Sequence, residues 1–137
     1  KLWKERFGHI LDFEELLAEH GTLVLKYFLH ITKKEQKKRL LEREEKAETA
    51  WKLNPNDWKE RDYWDDYTEA YEDVISRTAA PHAPWTIVPA NSKWYRNLVI
   101  AESLVDALRG RRKDWEKKLD AMGKAGKAEL AAYRAKR

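Results

Sequence analysis

The chain contains no cysteine. Disulfides, thiolate metal sites and cysteine nucleophiles are therefore excluded from these 137 residues. It also lacks long apolar runs, and none approaches the roughly 20 residues that span a bilayer. Lys1–Asp12 has no apolar core of the secretory type, so the expected compartment is the cytosol. Metal-ligand spacings such as His-Glu-x-x-His are missing, and His9, His20, His30 and His82 are scattered. His30, at the end of a predicted strand, is open to a site role or a structural one. Gly123-Lys124-Ala125-Gly126-Lys127 is no phosphate loop: that motif needs four residues between its glycines, then Ser or Thr, after a strand. Asp65-Asp66 falls on a predicted helix, where adjacent carboxylates diverge, so a surface role is expected rather than acid/base work.

What is present is charge, at 38% of residues with a net of +4, and seven tryptophans. So small an excess makes the clustering of cations more informative than their total. Lys33 to Arg39 holds five basic residues in seven, opposed by Glu35 alone. Arg39, Arg43 and Lys46 follow at i, i+4 and i+7, one helical face. Leu40 and Leu41 give this helix only a thin apolar stripe, so it is expected to stand out from the body. A solvated helix with Glu–Lys pairs and a helix offering cations to an anion both fit.

Along the chain, Trp3–Glu19 reads as a helix ended by Gly21 as C′ residue. Thr22–Ile31 is an apolar run of strand character, with a strand expected at about Thr22–Leu29 and Lys26 as its odd member. Thr32 and Glu35 match a capping box opening the basic helix, which is expected to fade near Thr49. Asn54 and Pro55 match an N-cap and first helical position. A second helix is expected over 55–77, interrupted near Arg61 and carrying an aromatic face. Thr78–Pro84 is a loop, Trp85–Val88 a short strand parallel and adjacent to the first, and Pro89–Ser92 a turn. An amphipathic helix over Lys93–Arg109 is expected to stop at Gly110. Long helices between buried strands indicate an α/β sheet with right-handed crossovers. Two strands alone do not cover both faces of such a sheet, so the chain is expected to be the back half of a larger domain or to complete its sheet with a partner.

The blocks FLHITKKEQKKRLLER, AWKLNPNDWKERDYWDDYTEAYEDVISRT and APWTIVPANSKWYRNLVIAESLVDAL resemble the polyphosphate kinase 2 family. The resemblance is colinear over roughly Arg6 to Leu108. It implies a P-loop kinase fold: the C-terminal part of a three-layer α/β/α domain over residues 1–110, with a helical lid at about 32–62 and a helical tail over 111–137. It implies phosphoryl transfer between inorganic polyphosphate and AMP, ADP or other adenine or guanine nucleotides, with magnesium. The phosphate-binding loop, the magnesium ligands and the rest of the domain are expected upstream of residue 1, so no metal ligand is assigned here. A homodimer or homotetramer is expected, without membrane or nucleic-acid partners.

On this resemblance Arg39 and Arg43 are the candidate catalytic cations, because a guanidinium forks onto phosphate and stays charged. Lys37, Lys38, Lys46, Lys52 and Arg61 are candidates for binding polyphosphate or nucleotide phosphates. Trp51 either packs the lid or stacks on a base. Backbone groups of Ala90 and Asn91 border the base, or belong to a plain turn. The alternative readings are a polyanion-binding module without catalysis and an oligomerisation segment built on the tail.

Overall fold

In the computed structural model, residues 2–135 are described; Lys1, Lys136 and Arg137 lie outside, so the expected tail is followed to Ala135. Helix α1 spans Leu2–Glu19. Gly21, at φ 85°, ends it by donating to the Ala18 carbonyl while Thr22 donates to that of Leu17. This double closure satisfies the last carbonyls of the helix and needs a residue at ease in the left-handed region.

Strand β1 is Lys26–His30 and pairs in parallel with β2, Trp85–Pro89, in the register Lys26↔Trp85 to His30↔Pro89. The strands are adjacent and parallel as expected, but β1 begins four residues later than its apolar run. A ladder exists only where a partner strand runs, and β2 supplies five residues.

Between the strands lie α2 (Lys33–Glu45), a 3-10 turn at Ala47–Lys52, α3 (Pro55–Lys59), a second 3-10 turn at Glu60–Tyr63 and α4 (Trp64–Thr78). The Asn54 side chain accepts from Asn56 N–H with Pro55 at the first helical position, as its sequence specifies. The expected interruption near Arg61 is the second 3-10 turn. Asp65 and Asp66 sit in the first turn of α4, where carboxylates complement the helix dipole.

After β2, α5 runs unbroken from Lys93 to Ala135, so the expected stop at Gly110 does not occur. Gly110 stays out of the left-handed region that a glycine cap uses. Pairs Arg109–Asp106 and Arg112–Glu116 support the helix on either side of it. By compactness the chain divides into Lys1–Asn97 and Leu98–Arg137.

Within the first unit, Lys26, Phe28 and His30 share one face of β1. The Lys26 ammonium lies 2.7 Å from Glu14 Oε2 on α1 and donates to the Thr78 carbonyl at the end of α4, 2.6 Å away. It also stands 5.1 Å from the centre of the Trp85 ring on β2, and the Trp85 indole N–H donates to Thr78 Oγ1 at 2.9 Å. One cation thus pairs a carboxylate, caps the negative end of a helix and rests on an aromatic face. Both partners of the pair are close to 10% exposed, where an unpaired charge is expensive. Val88, Ala83 and Ala90 are fully buried alongside.

Lys26→Ala is therefore expected to cost about 3–5 kcal/mol in urea unfolding, because Glu14 stays behind unpaired. Replacing both partners, Lys26→Met with Glu14→Leu, should recover most of that loss. Equal losses in the single and double variants would show that lost packing, not an orphaned charge, sets the cost.

Candidate functional site

The N-terminal half of α2 sets cations against its own dipole. Lys33, Lys34, Lys37, Lys38 and Arg39 crowd the positive end, and Glu42, Glu44 and Glu45 the negative end. Those within a terminal turn, Lys33 and Lys34 at one end and Glu42, Glu44 and Glu45 at the other, each cost about 0.3–1 kcal/mol, while Glu35 and Arg43 are placed with the dipole. The helix is started by Thr32, whose hydroxyl oxygen accepts from Glu35 N–H at 3.1 Å. The capping box is only half formed. Thr32 N–H donates instead to Asn91 Oδ1 at 3.0 Å, and the Glu35 carboxylate accepts from Arg39 Nε at 2.8 Å.

Helix α2 ends at Glu45, earlier than the expected fade near Thr49. Lys46 is extended, and the Thr49 hydroxyl donates to the Arg43 and Lys46 carbonyls, closing the helix from outside. Lys46 therefore leaves the helical face it was expected to share with Arg39 and Arg43.

The cations of α2 divide by face. Lys34, Lys37 and Lys38 look outward over a shallow groove of about 390 Å³, floored by Leu41, with Lys38 3.6 Å from Glu42. The arginines fasten α2 to its neighbours. Arg39 Nη2 donates to the carbonyls of Ala90 at 2.7 Å and Asn91 at 3.1 Å. Arg43 Nη1 donates to Asp57 Oδ2 at 3.1 Å, beside a cleft of about 450 Å³ between α2 and the Pro55 turn. Arg61 Nη1 donates to the Lys33 carbonyl and to Gln36 Oε1, with its guanidinium 5.7 Å from the centre of the Trp58 ring. The Trp58 indole N–H donates to Glu44 Oε1 at 2.8 Å, a second tie across the same cleft.

The backbone of Ala90 is engaged at both ends, since its N–H donates to the His30 carbonyl at 2.8 Å and its C=O accepts from Arg39. Asn91 likewise accepts with its carbonyl and with Oδ1. Trp51 is 78% exposed, and the Lys52 ammonium lies 4.9 Å from its ring centre.

A second feature escaped the sequence. His30, Phe28 and Ile87 from the ladder, with Trp64, Tyr67 and Tyr71 from α4, line a largely apolar groove of about 550 Å³. The rings of Phe28 and Tyr71 lie 4.8 Å apart and those of Phe28 and His30 6.0 Å. The alternation Lys26, Phe28, His30 was the available signal. At the rim, Tyr67 donates to Glu60 Oε2 at 2.5 Å, which holds the phenol pKa above 10.0, chiefly through that hydrogen bond and then through the carboxylate's charge. Among the described residues no group of three or more His, Asp or Glu side chains is placed to hold a metal ion, and no step is assigned to one here.

A parallel ladder flanked by helices, with a long helical excursion between its strands, is an α/β arrangement of the P-loop kinase type. Two solved structures have it: polyphosphate kinase 2 from Arthrobacter aurescens (TM-score 0.76, 45% identity, 78% of this chain and 38% of that one) and a putative polyphosphate kinase 2 from Pseudomonas aeruginosa (TM-score 0.77, 39% identity, 81% and 24%). The family model for polyphosphate kinase 2 matches residues 1–116, and the chain belongs to that family. An AMP/ADP-polyphosphate phosphotransferase of Meiothermus ruber is 46% identical over 110 residues, 80% of this chain and 41% of that protein. An ADP-polyphosphate phosphotransferase of Rhodopseudomonas palustris is 39% identical over 106 residues, 77% and 37%. An uncharacterised protein of Leptolyngbya boryana is 44% identical over 108 residues, 79% of each chain. The chain thus spans about two fifths of the Meiothermus relative.

Removing Arg39 leaves the buried Ala90 carbonyl without its donor, so Arg39→Ala should lower unfolding free energy by about 1–3 kcal/mol. Arg39→Lys should restore only part, because an ammonium lacks the planar fork that spans Glu35 and two carbonyls. Lys37→Ala, on the outward face, should leave the urea midpoint unchanged. A midpoint equally unmoved by Arg39→Ala would mean that the fastening carries no stability.

Tyr67 is expected to ionise above the ordinary tyrosine range, and Glu60→Ala to bring it back down, read by the ring-carbon shifts in a pH titration. Since the folded value is the higher one, any stabilisation from this bond is complete below pH 10.0 and fades as pH rises through the folded value.

Proposed function

We propose that these residues form the lid-bearing part of a cytosolic phosphotransferase acting between inorganic polyphosphate and adenine or guanine nucleotides. The observation that carries this reading is the cation cluster held against the dipole of α2, in a chain that belongs to the polyphosphate kinase 2 family. An anion-free helix gains nothing from that arrangement, whereas a polyanion offsets its cost. Residues 32–62 serve as the lid. Lys37 and Lys38 meet the polyphosphate chain as point charges, with Lys46 and Lys52 further along it. Arg43 exchanges Asp57 for phosphate oxygens when the lid closes, and Arg61 orients the start of α2. Arg39 ties α2 to the loop at Ala90 and Asn91 and joins the catalytic cations by releasing those carbonyls when the lid closes, and the backbone groups of that loop border the base.

Phosphoryl transfer asks little covalent chemistry of a protein. It asks for positioning and for cations around the transferring group. These 137 residues contain no Gly-x-x-x-x-Gly-Lys-Ser/Thr run, so the phosphate-binding loop is assigned to a segment outside them. As a purified polypeptide the chain should bind polyphosphate in a salt-dependent manner yet form no ATP from ADP and polyphosphate.

The deciding experiment grafts the matched 110 residues of this chain into the Meiothermus relative in place of its own. The hybrid should turn over. In it Arg43→Ala should lower kcat by on the order of 10²-fold, the usual cost of one preorganised charge donor, with KM changed far less. Lys33→Ala should cost little, and Arg43→Lys should rescue only in part. Near-parental turnover of the Arg43→Ala hybrid would refute the lid assignment.

A further inference from the structure

The distal part of α5 has no task in the phosphotransferase reading. The family model ends at residue 116, while the helix continues to Ala135. Charge is divided unevenly between this segment and the rest of the chain. Residues 111–137 hold ten basic and four acidic side chains, a net of +6. The whole chain carries +4, so residues 1–110 are net −2. The cationic excess therefore resides in the distal helix. Mutual repulsion opposes it when bare, and a bound polyanion relieves that repulsion.

The cations are ordered as well as numerous. Lys113, Lys117, Lys124 and Lys127 follow at i, i+4, i+11 and i+14 on α5. At 3.6 residues per turn they share an arc of about 80° and extend over about 21 Å of helix. All four are exposed. Between the first and the last of them, Asp120 is the one acid within that arc. Among the described residues the ion pairs of this stretch are Arg109–Asp106 and Arg112–Glu116, and none of the four lysines takes part in one. Trp115, Leu119, Met122 and Tyr133 fall on the opposite side of the helix.

We infer that this lysine row is a second binding segment for inorganic polyphosphate, one that holds a stretch of the polymer not undergoing transfer. The inference takes its ligand from the phosphotransferase reading, and three features of the face fit that ligand. Ammonium groups are compact point charges on flexible stems, suited to a uniform chain of phosphates, whereas a guanidinium fork suits bidentate recognition of one group. Single-stranded nucleic acid is held on aromatic rings where its bases stack, and the rings here lie on the other side. Between Lys113 and Lys127 the face has no Arg, Asn or Gln, the side chains that read base edges in a duplex.

The consequence is a dependence on chain length. A polymer long enough to engage both the lid cations and the lysine row makes its second contact as an intramolecular event. A short one uses either place alone and gains nothing from the other.

Binding of labelled long-chain polyphosphate and of tripolyphosphate to the 137-residue chain tests this. Glutamine at all four positions removes the charge and keeps a good helix former. Long-chain affinity should then fall by on the order of 100-fold, the lower end of what linking two contacts contributes. The slope of log Kd against log salt should flatten by about 3, as for four phosphate contacts on a single strand. Tripolyphosphate affinity should stay parental, and arginine at all four positions should keep long-chain binding. Unchanged long-chain affinity in the glutamine variant would overturn the inference. So would an equal loss for tripolyphosphate, or tighter binding of polyuridylic acid or of phosphatidylserine vesicles than of polyphosphate through the same lysines. The lid and the row fail separately. If Lys37→Gln with Lys38→Gln leaves no long-chain binding at all, the row is refuted and the lid stands. If only the glutamine variant of the row weakens binding, the row stands and the lid does not.

Discussion

Lys26 carries a positive charge into the interior, and the first unit of the fold is arranged so that this charge is never left alone. The strand that bears it is held to α1 through Glu14, to the end of α4 through the Thr78 carbonyl and to β2 through the Trp85 ring. Four elements far apart in sequence meet at one ammonium. Few large apolar side chains are fully buried around it, so the usual glue of a domain is thin here. The network substitutes direction for area: a carboxylate, a carbonyl and a ring accept the cation from defined sides, and no slipped register of β1 meets all three.

The same logic governs α2 from the opposite direction. Its arginines face inward and are neutralised by carboxylates and carbonyls, while its lysines face water with little to oppose them. Guanidinium groups suit the first task because each can serve several acceptors in one plane. The outward lysines concentrate potential where a polyanion can approach, and their interaction with it weakens as salt rises.

Much of this order was legible in the residues. Gly21 ended a helix because the residues before it offered carbonyls for its closure, and Asn54-Pro55 began one because each residue suits only that position. The strands were placed by apolar runs, but the length of β1 was not, since a ladder is a property of two strands and only one was being read. Gly110 shows the limit of a residue-by-residue rule. Gly21 stops α1 at positive φ, whereas Gly110 passes inside α5, where neighbouring ion pairs carry the helix through. The faces of α2 were also misjudged beyond Arg43, because Thr49 closes the helix by a side-chain bond that no periodicity announces. The inward ties of Arg39 and Arg61 depend on which loop and which ring the fold delivers, information held in contacts across more than 20 residues.

Arg39 and the loop at Ala90 and Asn91 form a lock in which each part is the other's competitor. A ligand that donates hydrogen bonds to those two carbonyls competes with the guanidinium, and an anion that draws the guanidinium away leaves the carbonyls open. Occupation of one place therefore lowers the cost of occupying the other, by the same factor in both directions. On the reading proposed above, two chemically unlike ligands, a donor-bearing ring and a polyanion, would be made mutually dependent by one guanidinium, with no hinge or large displacement needed to couple them.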